Sequence, residues 1–261
     1  MKPWRYFLIL LLLLACEERF NDPLNTRPTN LLVVEAVLTN ELVPQKINLS
    51  FPYQQLNGAP TPATGAVVQV VENDAVIYSF YENILQPGEY ISAPFRAVFG
   101  EEYKLEIQIQ GKEYYATDSS VPVEPLTPLQ YKMVNNQFEL VLYETGTISN
   151  YIDHTITSEA NSGCMPCLGR VIFYDLKSID VNEIYKPGKK SFLFPAGSTI
   201  IRRKYSVSAS YRTYLRSMLS ETEWRGGIFD VDRANVATNL STGATGFFAV
   251  STVISDTTVV E

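Results

Sequence analysis

From Leu31 onward the chain is a succession of short apolar or alternating runs broken by turn residues, and that pattern points to β-structure. Leu31–Leu38 is rich in β-branched residues, and Lys46–Phe51 alternates, with Ile47, Leu49 and Phe51 on one face. Ala66–Val71 and Ala75–Tyr81 flank Asn73-Asp74, a pair suited to a hairpin turn. Tyr103–Ile109 alternates again, and Gln110-Gly111-Lys112 turns it into Tyr114-Tyr115-Ala116. Such a density of short strands argues for a β-sandwich over residues 31–120.

Pro122, Pro125 and Pro128 then interrupt any ladder, because proline lacks the amide donor and stiffens the chain, so 121–128 reads as a linker. A second β-rich domain is expected over 129–261. Leu129–Val134 and Gln137–Tyr143 suit a hairpin about Asn135-Asn136, and further strands are expected at 148–157, 170–176 and 198–207. Gly246–Ile254 reads as a late strand closing that domain's sheet. One amphipathic helix is expected at about 208–224: Tyr211, Tyr214, Leu215, Met218 and Leu219 share a face, Ser208 or Ser210 serves as N-cap, and Gly226-Gly227 ends it.

Ahead of this body, Lys2 and Arg5 precede the apolar run Tyr6–Leu14, Ala15 and Cys16, the layout of an export signal over residues 1–15. The run is about nine residues long, where a membrane span takes roughly twenty. Leu13-Leu14-Ala15-Cys16 resembles the lipobox of bacterial lipoproteins, departing from it at Leu14, where a small polar residue is more usual. That resemblance implies a covalent lipid on Cys16, with residues 16–30 as a polar tether. An ordinary secretory signal with an incidental cysteine is the alternative. Glu17 and Glu18 resemble the acidic tag that sends lipoproteins of Bacteroidetes-type bacteria to the cell surface; the periplasmic face of the outer membrane is the other location.

The formal net charge is −7, and it becomes −9 once the cations of the signal are removed, which argues against a nucleic-acid partner. Basic residues gather between 186 and 233, among them Lys186, Lys189, Lys190, Arg202, Arg203 and Lys204. Their bland reading is a set of solvated faces; the sharper one is a docking patch for lipopolysaccharide or an acidic protein. With Cys16 lipidated, Cys164 and Cys167 remain as a pair, and in an oxidising compartment they read as a disulfide staple on a loop. A zinc site needs further ligands, and His154 is the one imidazole in the chain, so neither a metal nor another cofactor is expected beyond the lipid.

Taken in order, several segments resemble the DUF4249 lipoproteins of Bacteroidetes. They are the cysteine with its acidic neighbours, Leu32–Asn40, Gly65–Val70, Pro87-Gly88-Glu89-Tyr90, Gly226–Asp230, Val236–Leu240 and Gly246-Phe247-Phe248. The resemblance implies an immunoglobulin-like or carboxypeptidase-regulatory-like first domain and a gene beside a TonB-dependent outer-membrane receptor. It carries no catalytic residues. With a lone histidine and no Gly-x-Ser-x-Gly elbow, an enzyme is not expected. The lead expectation is an accessory or substrate-capture lipoprotein of a TonB-dependent transporter; the alternative is a structural or adhesive envelope protein.

Overall fold

A computed structural model describes residues 31–53, 58–158, 167–177, 192–222 and 236–261. The chain is mainly β. Its first half forms β1 (Leu32–Thr39), β2 (Val43–Phe51), β3 (Thr61–Pro62), β4 (Val67–Glu72), β5 (Val76–Glu82), β6 (Glu89–Phe95), β7 (Glu102–Ile109) and β8 (Lys112–Ser119). The second half forms β9 (Tyr131–Val134), β10 (Gln137–Leu140), β11 (Asn150–Ser158), β12 (Cys167–Asp175), β13 (Leu193–Phe194), β14 (Thr199–Ser206), helix α1 (Ala209–Thr222), β15 (Ala244–Ser251) and β16 (Val253–Val259).

The two-residue turns follow from residue type. Asn73-Asp74, Gln110-Gly111 and Asn135-Asn136 each place two successive residues at positive φ, between 48° and 73°. Paired positive φ matches the right-handed twist of the flanking strands, so these turns make tight hairpins of β4–β5, β7–β8 and β9–β10.

The large sheet has nine strands, in the order β15-β1-β2-β6-β5-β4-β7-β8, with β3 on β2. Its outer strands are bridged by residues 239–241. The Ser241 amide donates to the Tyr115 carbonyl (2.9 Å), and the Asn239 amide group donates to the carbonyls of Thr117 (3.1 Å) and Phe248 (2.8 Å). Leu32, Val34, Leu38, Ile47, Leu49, Val70, Leu105, Ile107 and Phe248 meet in the one core that the sheet curls around. Each such side chain contributes about 1.5–3 kcal/mol by leaving water.

The run Gly246–Ile254 does not form one strand of the second sheet. It is divided at Thr252: β15 pairs in parallel with β1, Leu32 opposite Ala244 through Thr39 opposite Ser251, whereas β16 pairs with β14. The physical reason is two-sided burial. Phe248 and Val250 of β15 enter the core of the large sheet, while Phe247 and Ala249 on the other face are covered by α1. A strand covered on both faces is apolar throughout and loses its alternation. Gly246, at φ +93°, permits the pairing, since a Cβ there would lie 2.0 Å from the Val34 carbonyl oxygen.

Beyond β8 the chain builds a four-stranded antiparallel sheet, β12-β11-β14-β16, and a small sheet, β13-β10-β9. The two meet through Ile156, Phe194, Ile200 and Val260, with Leu129, Tyr131, Phe138 and Leu140 against them. Helix α1 starts where expected. The Ser208 hydroxyl accepts from the Tyr211 amide (3.2 Å), and Tyr211 and Leu215 turn toward Phe247, Ala249 and the tyrosines of β11 and β12. The expected Gly226-Gly227 terminator lies outside the described residues.

The large sheet has two unlike ends. At one, the chain enters β1 at Leu32, and the segment joining β5 to β6 projects beside it. At the other stand the ends of β1 and β8 and the start of β2, and there the second half attaches. The Arg203 side chain pairs with Glu41, the Val253 amide donates to Asn40 Oδ1 (2.8 Å), and the Thr252 amide donates to Ser206 Oγ (2.9 Å).

Candidate functional site

The cations singled out in the sequence lie largely on β14, and the alternation of that strand decides where they point. Ile200, Arg202, Lys204 and Ser206 are buried on one face. Lys204 and Glu144 are both fully buried, with Nζ 2.7 Å from Glu144 Oε2 and 3.1 Å from the Pro125 carbonyl. The other oxygen of Glu144 accepts from the Thr127 hydroxyl (3.0 Å). Arg202 lies beside them. It is bidentate on Asp256, with Nε 2.9 Å from Oδ1, and its Nη1 donates to the Thr127 carbonyl (2.8 Å).

The consequence is that 202 and 204 spend their charge inside the protein and hold the proline-rich stretch against the four-stranded sheet. Glu124 ties the same stretch down by accepting from the amides of Thr147 (3.0 Å) and Ile148 (3.1 Å), bonds that hold its carboxyl below the usual range. Arg203 points the other way, half exposed, paired with Glu41 and 5.3 Å over the Tyr205 ring. As a docking patch, then, the basic stretch loses Arg202 and Lys204 to the interior. Lys186, Lys189 and Lys190 lie outside the described residues, as do Cys16, Glu17, Glu18 and Cys164. Cys167 opens β12 opposite Ser158.

His154 is no exposed base. It is buried on β11 with Nδ1 3.1 Å from the Val171 carbonyl, and burial pushes its pKa below the ordinary 6.5, with the Arg202 charge adding to the fall. Asp153, its neighbour, accepts a bidentate pair from Arg170 (2.7–3.1 Å). The cluster is a satisfied ion-pair network. Among the described residues no group of three or more His, Cys, Asp or Glu stands together as a metal site, and no helix is long and apolar enough to cross a membrane.

An open concavity with polar lining lies elsewhere, on the outer face of β4, β7 and β8. It encloses about 380 Å³ and is lined by Val67, Gln69, Lys104, Glu106, Glu113 and Tyr115. Glu106 lies at its centre, 2.7 Å from Lys104 Nζ and 2.7 Å from Gln69 Nε2; both bonds hold its carboxyl low, and the first raises Lys104. Val67 and Tyr115 expose apolar surface at its edges. Donors, acceptors and an aromatic face in this arrangement suit holding a polar ligand or partner segment. Strand alternation alone signals this face, because Val67, Gln69, Lys104, Glu106, Glu113 and Tyr115 all fall on outward positions of their strands.

The family model described as "Domain of unknown function (DUF4249)" matches residues 17–257. The chain belongs to the DUF4249 family. The match spans both halves of the fold, including β15 and most of β16, so the return of the chain to the large sheet lies within the DUF4249 unit. No curated protein matches the chain.

Proposed function

We propose that this DUF4249 chain is a non-enzymatic lipoprotein of the outer membrane, held by a diacylglyceryl thioether on Cys16, exposed at the cell surface, and working as an accessory or substrate-capture partner of a TonB-dependent barrel. The observation that carries the reading is the order Lys2 and Arg5, apolar run, Leu13-Leu14-Ala15-Cys16, Glu17-Glu18 at the head of a DUF4249 sequence. An immunoglobulin-like or carboxypeptidase-regulatory-like first domain and a Cys164–Cys167 staple formed after export belong to the same proposal.

The fold supports it in two respects. The chain enters β1 at one end of the large sheet while the second half attaches at the other, an arrangement that turns the four-stranded sheet away from an N-terminal anchor. The groove of β4, β7 and β8 is an open polar surface free to meet a ligand or a loop of a partner. Co-purification from detergent-solubilised outer membrane tests the partnership. A large β-barrel recovered with the protein is the expected result, and recovery of the protein alone under several mild detergents overturns it. Mass spectrometry of the processed N-terminus tests the anchor separately.

A further inference from the structure

The segment between β5 and β6, residues 83–88, is a rigid tip that presents two apolar side chains to solvent. Ile84 is 93% exposed and Leu85 is 89% exposed. Two consecutive turns fix them there. The Gln86 amide donates to the Asn83 carbonyl (3.0 Å) and the Glu89 amide to the Gln86 carbonyl (3.0 Å), while Asn83 Oδ1 accepts from the Leu85 amide (3.1 Å). Gly88, at φ +84°, lets the base of the tip lie against β2, where a Cβ would come within 2.6 Å of the Leu49 carbonyl oxygen. The tip therefore bears its apolar side chains outward.

Charge is kept off it. Residues 84–87 carry none, and the flanking carboxylates turn onto the protein. Glu82 accepts from the amides of Gly65 (2.8 Å) and Gly88 (3.3 Å), and Glu89 from Asn83 (2.7 Å) and Lys46 (3.0 Å). Single exposed apolar residues are ordinary on protein surfaces. An adjacent pair on a hydrogen-bonded tip, with its nearby acids neutralised or sequestered, is the arrangement that an apolar phase would accept.

The position of the tip names that phase. The Leu49 amide donates to the Gly88 carbonyl (2.8 Å), and Val33 pairs with Ser50, so the base of the tip is level with the start of β1, two strands away. Fourteen residues, 17–30, separate Leu31 from the proposed lipid site at Cys16, at most roughly 50 Å of chain. Tyr53, also more than half exposed, lies two residues past the end of β2 at this same end. A lipid on Cys16 holds this end of the sheet near the bilayer, and a short connection raises the effective concentration of the tip at its surface, so a contact too weak to bind alone becomes populated.

We propose that Ile84 and Leu85 dip into the surface of the bilayer that holds the Cys16 lipid, giving the large sheet a second, noncovalent membrane contact that sets its orientation. This rests on the lipoprotein reading above. The test uses the processed, lipidated full chain in phosphatidylethanolamine vesicles containing lipid brominated high on the acyl chain, with tryptophan placed by Leu85→Trp at the tip or by Phe99→Trp at the opposite end. Trp224 is common to both variants. The expected result is flotation of both variants with the vesicles and at least three-fold stronger bromine quenching of the added tryptophan at 85 than at 99. Flotation with equal quenching overturns the tip contact and leaves the anchor standing. Failure of both variants to float overturns the anchor, and the tip with it.

Discussion

In the large sheet the most deeply buried side chains include Leu32, Val34, Leu38, Ile47, Val70, Leu105 and Phe248, joined by Tyr90 and Tyr103; in the four-stranded sheet the buried side chains include Lys204, Ser206, Arg202, Asn150 and His154 beside Ile152, Ile156 and Ile200. The first region is held by area removed from water, which is non-directional and tolerates substitution that conserves volume. The second adds buried ion pairs and hydrogen bonds to its apolar side chains, and there removing one partner leaves the other buried and uncompensated. The two halves of one chain are therefore vulnerable to different changes.

The largest expected effect falls within the large sheet, where β15 joins β1. Gly246→Ala forces a Cβ onto the Val34 carbonyl and a side chain into positive φ, and should cost more than about 4 kcal/mol in chemical denaturation or abolish folding. Glu144→Ala comes next. It strands Lys204 without its anion and should cost about 3–5 kcal/mol, whereas the double change Glu144→Leu with Lys204→Met should return stability to within about 1 kcal/mol of the parent or above it. If the single and double variants are equally unstable, the contrast between the two regions is broken. Ser208→Ala removes the cap of α1 and should cost about 1 kcal/mol, read from the same denaturation curves.

The smallest effect is a pH dependence. His154 is buried neutral, so its folded pKa lies below the 6.5 of the unfolded chain, and as pH falls the unfolded state takes up the proton first. Its contribution to stability is thus full above about pH 6.5 and is lost as pH falls through the window between the two values. Urea midpoints measured from pH 7.5 to 5 should fall less steeply in His154→Gln than in the parent. Parallel profiles would show that the imidazole is not what senses pH in this sheet.

What could be read from the sequence was what is local. Asn73-Asp74 and Asn135-Asn136 announced their hairpins because few other residues accept positive φ so readily, and α1 declared itself through its apolar stripe and Ser208. The placement of β15 could not be read. Its partner β1 lies some two hundred residues earlier, and a strand buried on both faces has no periodicity to show which sheet claims it. β6, with Ser92 and Pro94 inside it, lacked a strong strand signal although it sits mid-sheet. The basic stretch misled for a different reason. Counting charge along the sequence treats every cation as solvated, whereas Arg202 and Lys204 alternate in phase with Ile200, and that phase was the available sign that they point inward. The groove residues showed their outward positions, but nothing in a single strand states that three outward faces will make a hollow.

Because β15 runs alongside β1, a strand made early is completed by one made some two hundred residues later. Until residue 251 has emerged, β1 waits with one edge bare and the inner wall lacks Phe248 and Val250. Deleting residues 242–261 is thus no trimming of a tail: it opens a flank beside β1 and leaves that edge exposed to the wrong strand.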